Sequence, residues 1–167
     1  MAKLRVTGLG NCEKMLNELK GSTRKICGMA IYDGAAVVAD KVKQNLQALK
    51  TDTEKRAMND FQNGKKLTLS PLQKQGLIDG MGISKMDYSG GGWNVQISFH
   101  GYNKVITKKY PRGQPNILIA RSLNKGTSYL NKQPFMTSAV SAARAAAEAA
   151  MEARAETEIN KITGGST

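Results

Sequence analysis

The chain has 167 residues, 40% of them apolar and only 5% aromatic, and a formal net charge of +12. That length suits one domain with a modest core built from Ala, Val, Ile, Leu and Met. The charge turns the chain toward acidic partners such as nucleic acid, an anionic membrane surface or an acidic protein, while no run approaches the roughly 18 apolar residues of a membrane span.

No charged region followed by an apolar stretch marks a signal peptide at the N-terminus. Cys12 and Cys27, the only cysteines, have neither metal nor redox spacing and read as thiols in a reducing cytoplasm. The charge is uneven. Residues 135–167 hold three basic and four acidic side chains, so the first 134 carry +13.

Residues 3–7 read as a short strand broken by Gly8 and Gly10. Asn11 then caps a helix over 12–20, with Met15, Leu16 and Leu19 on one side. Gly21, Ser22 and Thr23 interrupt it, and a longer helix runs to about Leu49. Its apolar residues Ile31, Ala35, Val38, Val42 and Leu49 return on one helix face, with Lys41, Lys43, Gln44 and Lys50 off it. Residues 50–69 are polar and read either as a helical turn or two over Glu54–Phe61 or as a mobile loop.

Ser70-Pro71 is a clear helix start. Ser accepts at the N-cap, and Pro suits the first turn, where its missing N–H has no partner to lose. That helix should stop at Gly80 or Gly82. Trp93, Val95, Ile97 and Phe99 alternate with Asn94, Gln96, Ser98 and His100, a period of two that marks a half-buried strand. Ser89-Gly90-Gly91-Gly92 reads as the hairpin turn to a partner strand at 83–88, and Val105–Tyr110 as a third strand.

Asn116 to Leu123 reads as a short helix closed by Gly126, and Pro134 precedes a last helix over 135–162. That helix is rich in Ala, the best helix former. Its stripe of Ala139, Ala143, Ala146, Ala150, Ala153 and Thr157 suits close packing on a sheet or helix. The expected fold is α+β: a small antiparallel sheet of three or four strands against long N-terminal and C-terminal helices.

Signals for chemistry are weak. Gly8-x-Gly10 has Glu13 where a dinucleotide fingerprint needs its third glycine, and the Ser89–Gly92 run lacks the spacing and Lys of a P-loop. His100, the only histidine, stands on the polar face of a strand without a carboxylate nearby in sequence. No catalytic set, cofactor or metal site is expected. The most informative feature is the stretch 101–132, with seven basic residues and no acidic one. Lys104, Lys108, Lys109, Arg112, Arg121 and Lys125 are its candidates for contact with DNA phosphate or an acidic partner, and Lys132 ends it. Tyr102 and Tyr110 interleave and could stack on bases. A basic nucleic-acid-binding module is the alternative function.

The run Asn116-Ile117-Leu118-Ile119-Ala120-Arg121-Ser122-Leu123-Asn124-Lys125-Gly126-Thr127-Ser128, then Gln133-Pro134-Phe135-Met136 and a long Ala- and Glu-rich helix, resembles the tail-completion or tail-to-head joining family of siphophages. Ser70 to Ile78 looks like the version found in one subgroup, whereas Lys50-Thr51-Asp52-Thr53 matches the family's Pro-x-Asp-Thr-Gly-like turn only in part. The resemblance implies a single structural domain over 1–167, with a flexible tail at 163–167, made in a bacterial cytoplasm and carried in the virion tail or neck. It implies a homo-oligomeric ring, commonly hexameric, between head-closure or connector proteins and tail-terminator or tail-tube proteins, with DNA in the lumen and no membrane. Gly126, Thr127, Ser128, Pro134 and Phe135 are its motif residues.

Overall fold

The computed structural model describes residues 9–53, 59–89 and 92–164. The strand expected at 3–7 lies outside them. The first described element is one unbroken helix, α1 (Leu9–Ala48), rather than two. Gly21 costs helix stability but no bond, and Thr23 turns its hydroxyl inward to the Leu19 carbonyl at 2.9 Å, so the backbone ladder continues. Lys74 reaches the far end, where its ammonium donates to the carbonyls of Gln47 and Leu49 at 2.7 and 2.9 Å. Those are among the carbonyls that a helix end leaves unpaired.

The 50–69 segment is tied down at both ends. Thr51 bridges Leu69, Leu67 bridges Leu130, and Leu69 is fully buried. Residues 59–62 are helical. The mobile-loop expectation therefore fails at 67–69, because two leucines in a polar stretch suffice to anchor it. Helix α2 (Pro71–Gly80) starts as expected, and the Ser70 and Gln73 side chains cap each other's backbone N–H. It ends at Gly80, against which the His100 carbonyl packs too closely for any Cβ.

Four three-residue strands follow: β1 (Met81–Ile83), β2 (Asp87–Ser89), β3 (Gly92–Asn94) and β4 (Ile97–Phe99). They form two two-stranded antiparallel sheets, β1 with β4 and β2 with β3, not one sheet of three or four strands. Met81 pairs with Phe99 and Ile83 with Ile97, but Asp87 pairs with Asn94, so the register slips by one residue. Three residues, 84–86, therefore oppose two, 95–96, which is a bulge. Ser84 bridges it, donating its N–H to the Gln96 carbonyl and accepting the Gln96 N–H on its hydroxyl. The expected third strand at Val105–Tyr110 is a loop. Thr107 and Tyr110 bond each other's backbone across a tight turn instead of pairing with a neighbour.

Helix α3 (Asn116–Lys125) ends at Gly126, whose φ is 77° and ψ 160°. The positive φ favours glycine, ψ is extended rather than left-handed helical, and the chain returns so that Lys132 packs against Gly126. Helix α4 (Phe135–Thr163) runs through Thr163, which was expected in a flexible tail; residues 165–167 lie outside the described set. The α4 N-terminus borrows its cap from another helix. Pro134 offers no side-chain bond, and Asn124 on α3 accepts the N–H groups of Met136 and Thr137 at 3.2 Å each.

Helices α1 and α4 pack antiparallel. Asn45 donates to the Phe135 carbonyl at one end, while Arg154 meets Asp33 at 3.6 Å toward the other. At Gly34 the helices approach so closely that a Cβ would lie 2.6 Å from Met151 Cγ. The buried face of α4 is Phe135, Ala139, Ala143 and Ala147; the expected stripe holds at Ala139 and Ala143 and then leaves that face, since Ala146, Ala153 and Thr157 are exposed. Of the expected α1 stripe only Val42 is fully buried. The centre of that face is Ile26, Ala30, Ala39, Val42 and Leu46, because α1 is covered on two sides. The hairpin forms the second cover: Trp93 lies under the Arg24 guanidinium, and the Tyr32 hydroxyl accepts the Met86 N–H. The core gathers Val42, Leu46, Leu69, Leu77, Phe99, Leu123 and Phe135, with the Phe99 and Phe135 rings edge-to-face at 5.8 Å.

Candidate interaction surface

The 101–115 loop that joins β4 to α3 is fixed from beneath. Asn103 is buried and its N–H donates to the Gln114 carbonyl at 2.9 Å, while its side-chain oxygen accepts the Val105 N–H at 2.9 Å. Gly113 lies directly against the Asn103 carbonyl with φ 99°, a conformation that favours glycine. Asn116 is 2% exposed and donates its amide to the carbonyls of Gly76 at 2.8 Å and His100 at 2.7 Å. One side chain thus holds α2, the end of β4 and the start of α3 together. Sequence reading overlooked Asn103, Asn116 and Asn124. Asparagines beside Gly and Pro read as turn formers, and nothing local tells a buried staple from an exposed turn.

Above this support the basic candidates come together in part. Lys104, Lys108, Lys109 and Arg112 are all exposed on the one loop, and the Lys109 ammonium lies 5.6 Å from the Tyr110 ring centroid. Arg121, Lys125 and Lys132 are exposed on α3 and in the connection after it. The family-like motif is mostly internal scaffolding. Thr127 and Leu130 close a turn through the Thr127 hydroxyl at 2.9 Å, Gly126 turns the chain, and Phe135 is 3% exposed. Ser128 and Pro134 are exposed.

A cleft of about 300 Å³ opens beside the loop, lined by Asp79, His100, Tyr102, Asn103, Lys104 and Asn116 among others. Its ionisable groups are not joined. Asp79 accepts from Gln75 at 2.7 Å, and His100 is exposed with no hydrogen bond to Asp79 or Lys104. Among the described residues no group of three His, Cys, Asp or Glu side chains is placed to hold a metal, and Cys27 is a free thiol. No helix among them is long and apolar enough to cross a membrane.

A second charged surface was not singled out in the sequence. Glu148, Glu152 and Glu156 are exposed at four-residue spacing along α4, with Ala145, Ala149 and Ala153 exposed beside them. Glu148 pairs with Arg144 at 3.0 Å. Glu158, nearer the α1 side, is hydrogen-bonded by Lys161 at 2.7 Å, and that bond with the charges of Lys161, Arg154 and Lys25 holds its carboxyl below the ordinary range. Comparisons with protein-family models, curated proteins and solved structures find no match.

Proposed function

We propose that this chain is a structural subunit of a long-tailed bacteriophage particle, one that forms a ring and joins or completes the tail at the head–tail interface. The observation that carries this reading is how the family-like run 116–136 is built. It forms one stapled unit, α3, turn and α4 start, held by bonds that Asn124, Thr127 and the Asn116 amide N–H make within the chain. What it leaves outward is a basic loop and the acid-and-alanine face of a long helix, surfaces suited to neighbours rather than to a substrate. In this reading the protein carries no cofactor, acts in the virion and is made in the host bacterial cytoplasm. Its neighbours are further copies, the head-closure or connector proteins and the tail-terminator or tail-tube proteins, with DNA passing through the lumen.

Deleting the gene from the phage tests this. The expected result is filled heads and finished tails that do not join in electron micrographs, rescue by the supplied chain, and detection of the chain in purified particles. Infectious particles lacking it would sink the reading.

A further inference from the structure

The 101–112 loop carries an apolar anchor inside a cationic rim. Ile106 is 71% exposed and Tyr102 65% exposed, with Lys104, Lys108, Lys109 and Arg112 around them. The bonds under the loop hold it in this shape before any partner arrives, which lowers the ordering cost of docking. Phosphate recognition has use for the cations but gains nothing from a protruding isoleucine. Protein interfaces combine an apolar centre with a polar rim. The loop therefore fits a protein surface that is acidic and has room for a side chain.

The outer face of α4 has that chemistry. Glu148, Glu152 and Glu156 stand about 6 Å apart along the helix axis. The exposed alanines beside them, Ala145, Ala149 and Ala153, leave space above the backbone. Among the described residues no cation lies within ion-pair distance of Glu152 or Glu156. The two surfaces sit at different ends of the molecule. The loop rests on α2, which is tied to α1 at Gln47 and Leu49, whereas Arg154 of α4 meets α1 at Met29 and Asp33. Roughly 20–27 Å of α1 separates these points at the usual rise per residue. They meet only between copies, and a contact between two different surfaces runs head to tail, as in a ring or filament.

We propose that the 101–112 loop of one copy docks on the outer face of α4 of the next, with Ile106 over the alanines and the loop cations along the three glutamates. This rests on the reading of the chain as a self-assembling particle subunit, and names the surfaces that assemble it.

Complementary charge reversal in the full chain tests the contact, read by sedimentation velocity across a concentration and salt series. One variant carries Lys104→Glu, Lys108→Glu and Lys109→Glu; the other carries Glu148→Lys, Glu152→Lys and Glu156→Lys. All six side chains are exposed, and circular dichroism checks that each variant folds. The expected result is wild-type association that weakens with salt, and a loss of at least about ten-fold in either variant alone, as close charge pairs across an interface typically give. An equal mixture should regain association, because the charges again oppose. Ile106→Ser should weaken association by about ten-fold with the net charge unchanged.

Wild-type-like association of either variant, a mixture that stays dissociated, or a wild type monomeric at every concentration each overturns the contact. So does a Lys104/Lys108/Lys109 variant that loses low-salt DNA binding yet still self-associates, which assigns the loop to nucleic acid. The functional reading fails separately, through absence of the chain from particles; presence there with charge-insensitive assembly sinks the contact alone.

Discussion

Asn116 concentrates the most structural information in one side chain. Its amide donates to carbonyls from two other segments while nearly fully buried. Asn116→Ala strands both acceptors, so a loss of about 2–3 kcal/mol is expected in urea unfolding, against near-zero change for Asn131→Ala on the exposed connection. Two glycines of α1 make an opposite pair. Gly21 faces open space, and Gly21→Ala should stabilise by up to about 1 kcal/mol through helix propensity. Gly34 lies under Met151 and the Ala147 carbonyl, and Gly34→Val should push the helices apart at a cost of about 1–3 kcal/mol. Equal effects of the two changes in thermal melts would contradict the close approach of α1 and α4.

At the scale of elements, the α1–α4 pair is joined in its outer half by ions as well as by packing. Arg154 lies 3.6 Å from both Asp33 and Glu158, and Lys161 holds Glu158 from the next turn. A carboxyl held below its ordinary value of 4.5 contributes stability that is present above that pH and is lost as pH falls through the lowered folded value. Wild type should therefore exceed Glu158→Gln in melting temperature at neutral pH, with the gap closing on acidification below about pH 4.5. A gap unchanged at low pH would show that the carboxylate charge is not what matters. Helix α4 also depends on α3 at its start, since Asn124 supplies its cap. Asn124→Ala should cost about 1 kcal/mol, the usual value of a lost N-cap.

For the whole molecule, one core is shared by α1, α2, β4, α3, α4 and the two leucines 69 and 130. Leu123→Ala should remove about 2–5 kcal/mol, as in other buried leucine truncations, and leave a single unfolding transition. Two transitions would mean that the helical pair and the loop-rich end unfold separately. Residues 49–134 carry +9 of the net charge of +12, and at physiological salt such surface charges act over about 8 Å.

The local signals were legible in the chain itself. Ser70-Pro71 starts α2, the Trp93–Phe99 alternation gives the hairpin its inward face, and Gly126 and Pro134 bound the last two helices, because caps, turns and periodicity are properties of neighbouring residues. So was the concentration of basic charge. Tertiary structure alone decided the rest. Contacts with α4 and the hairpin carry α1 straight through Gly21 and shift both helices' buried stripes, since a helix buries whichever face its partners cover. The bulge at 84–86 divides the sheet, and 105–110 closes a turn on itself through Thr107 and Tyr110 instead of pairing. The staples Asn116 and Asn124 join residues far apart in sequence, and only the folded backbone determines which of those distant groups meet.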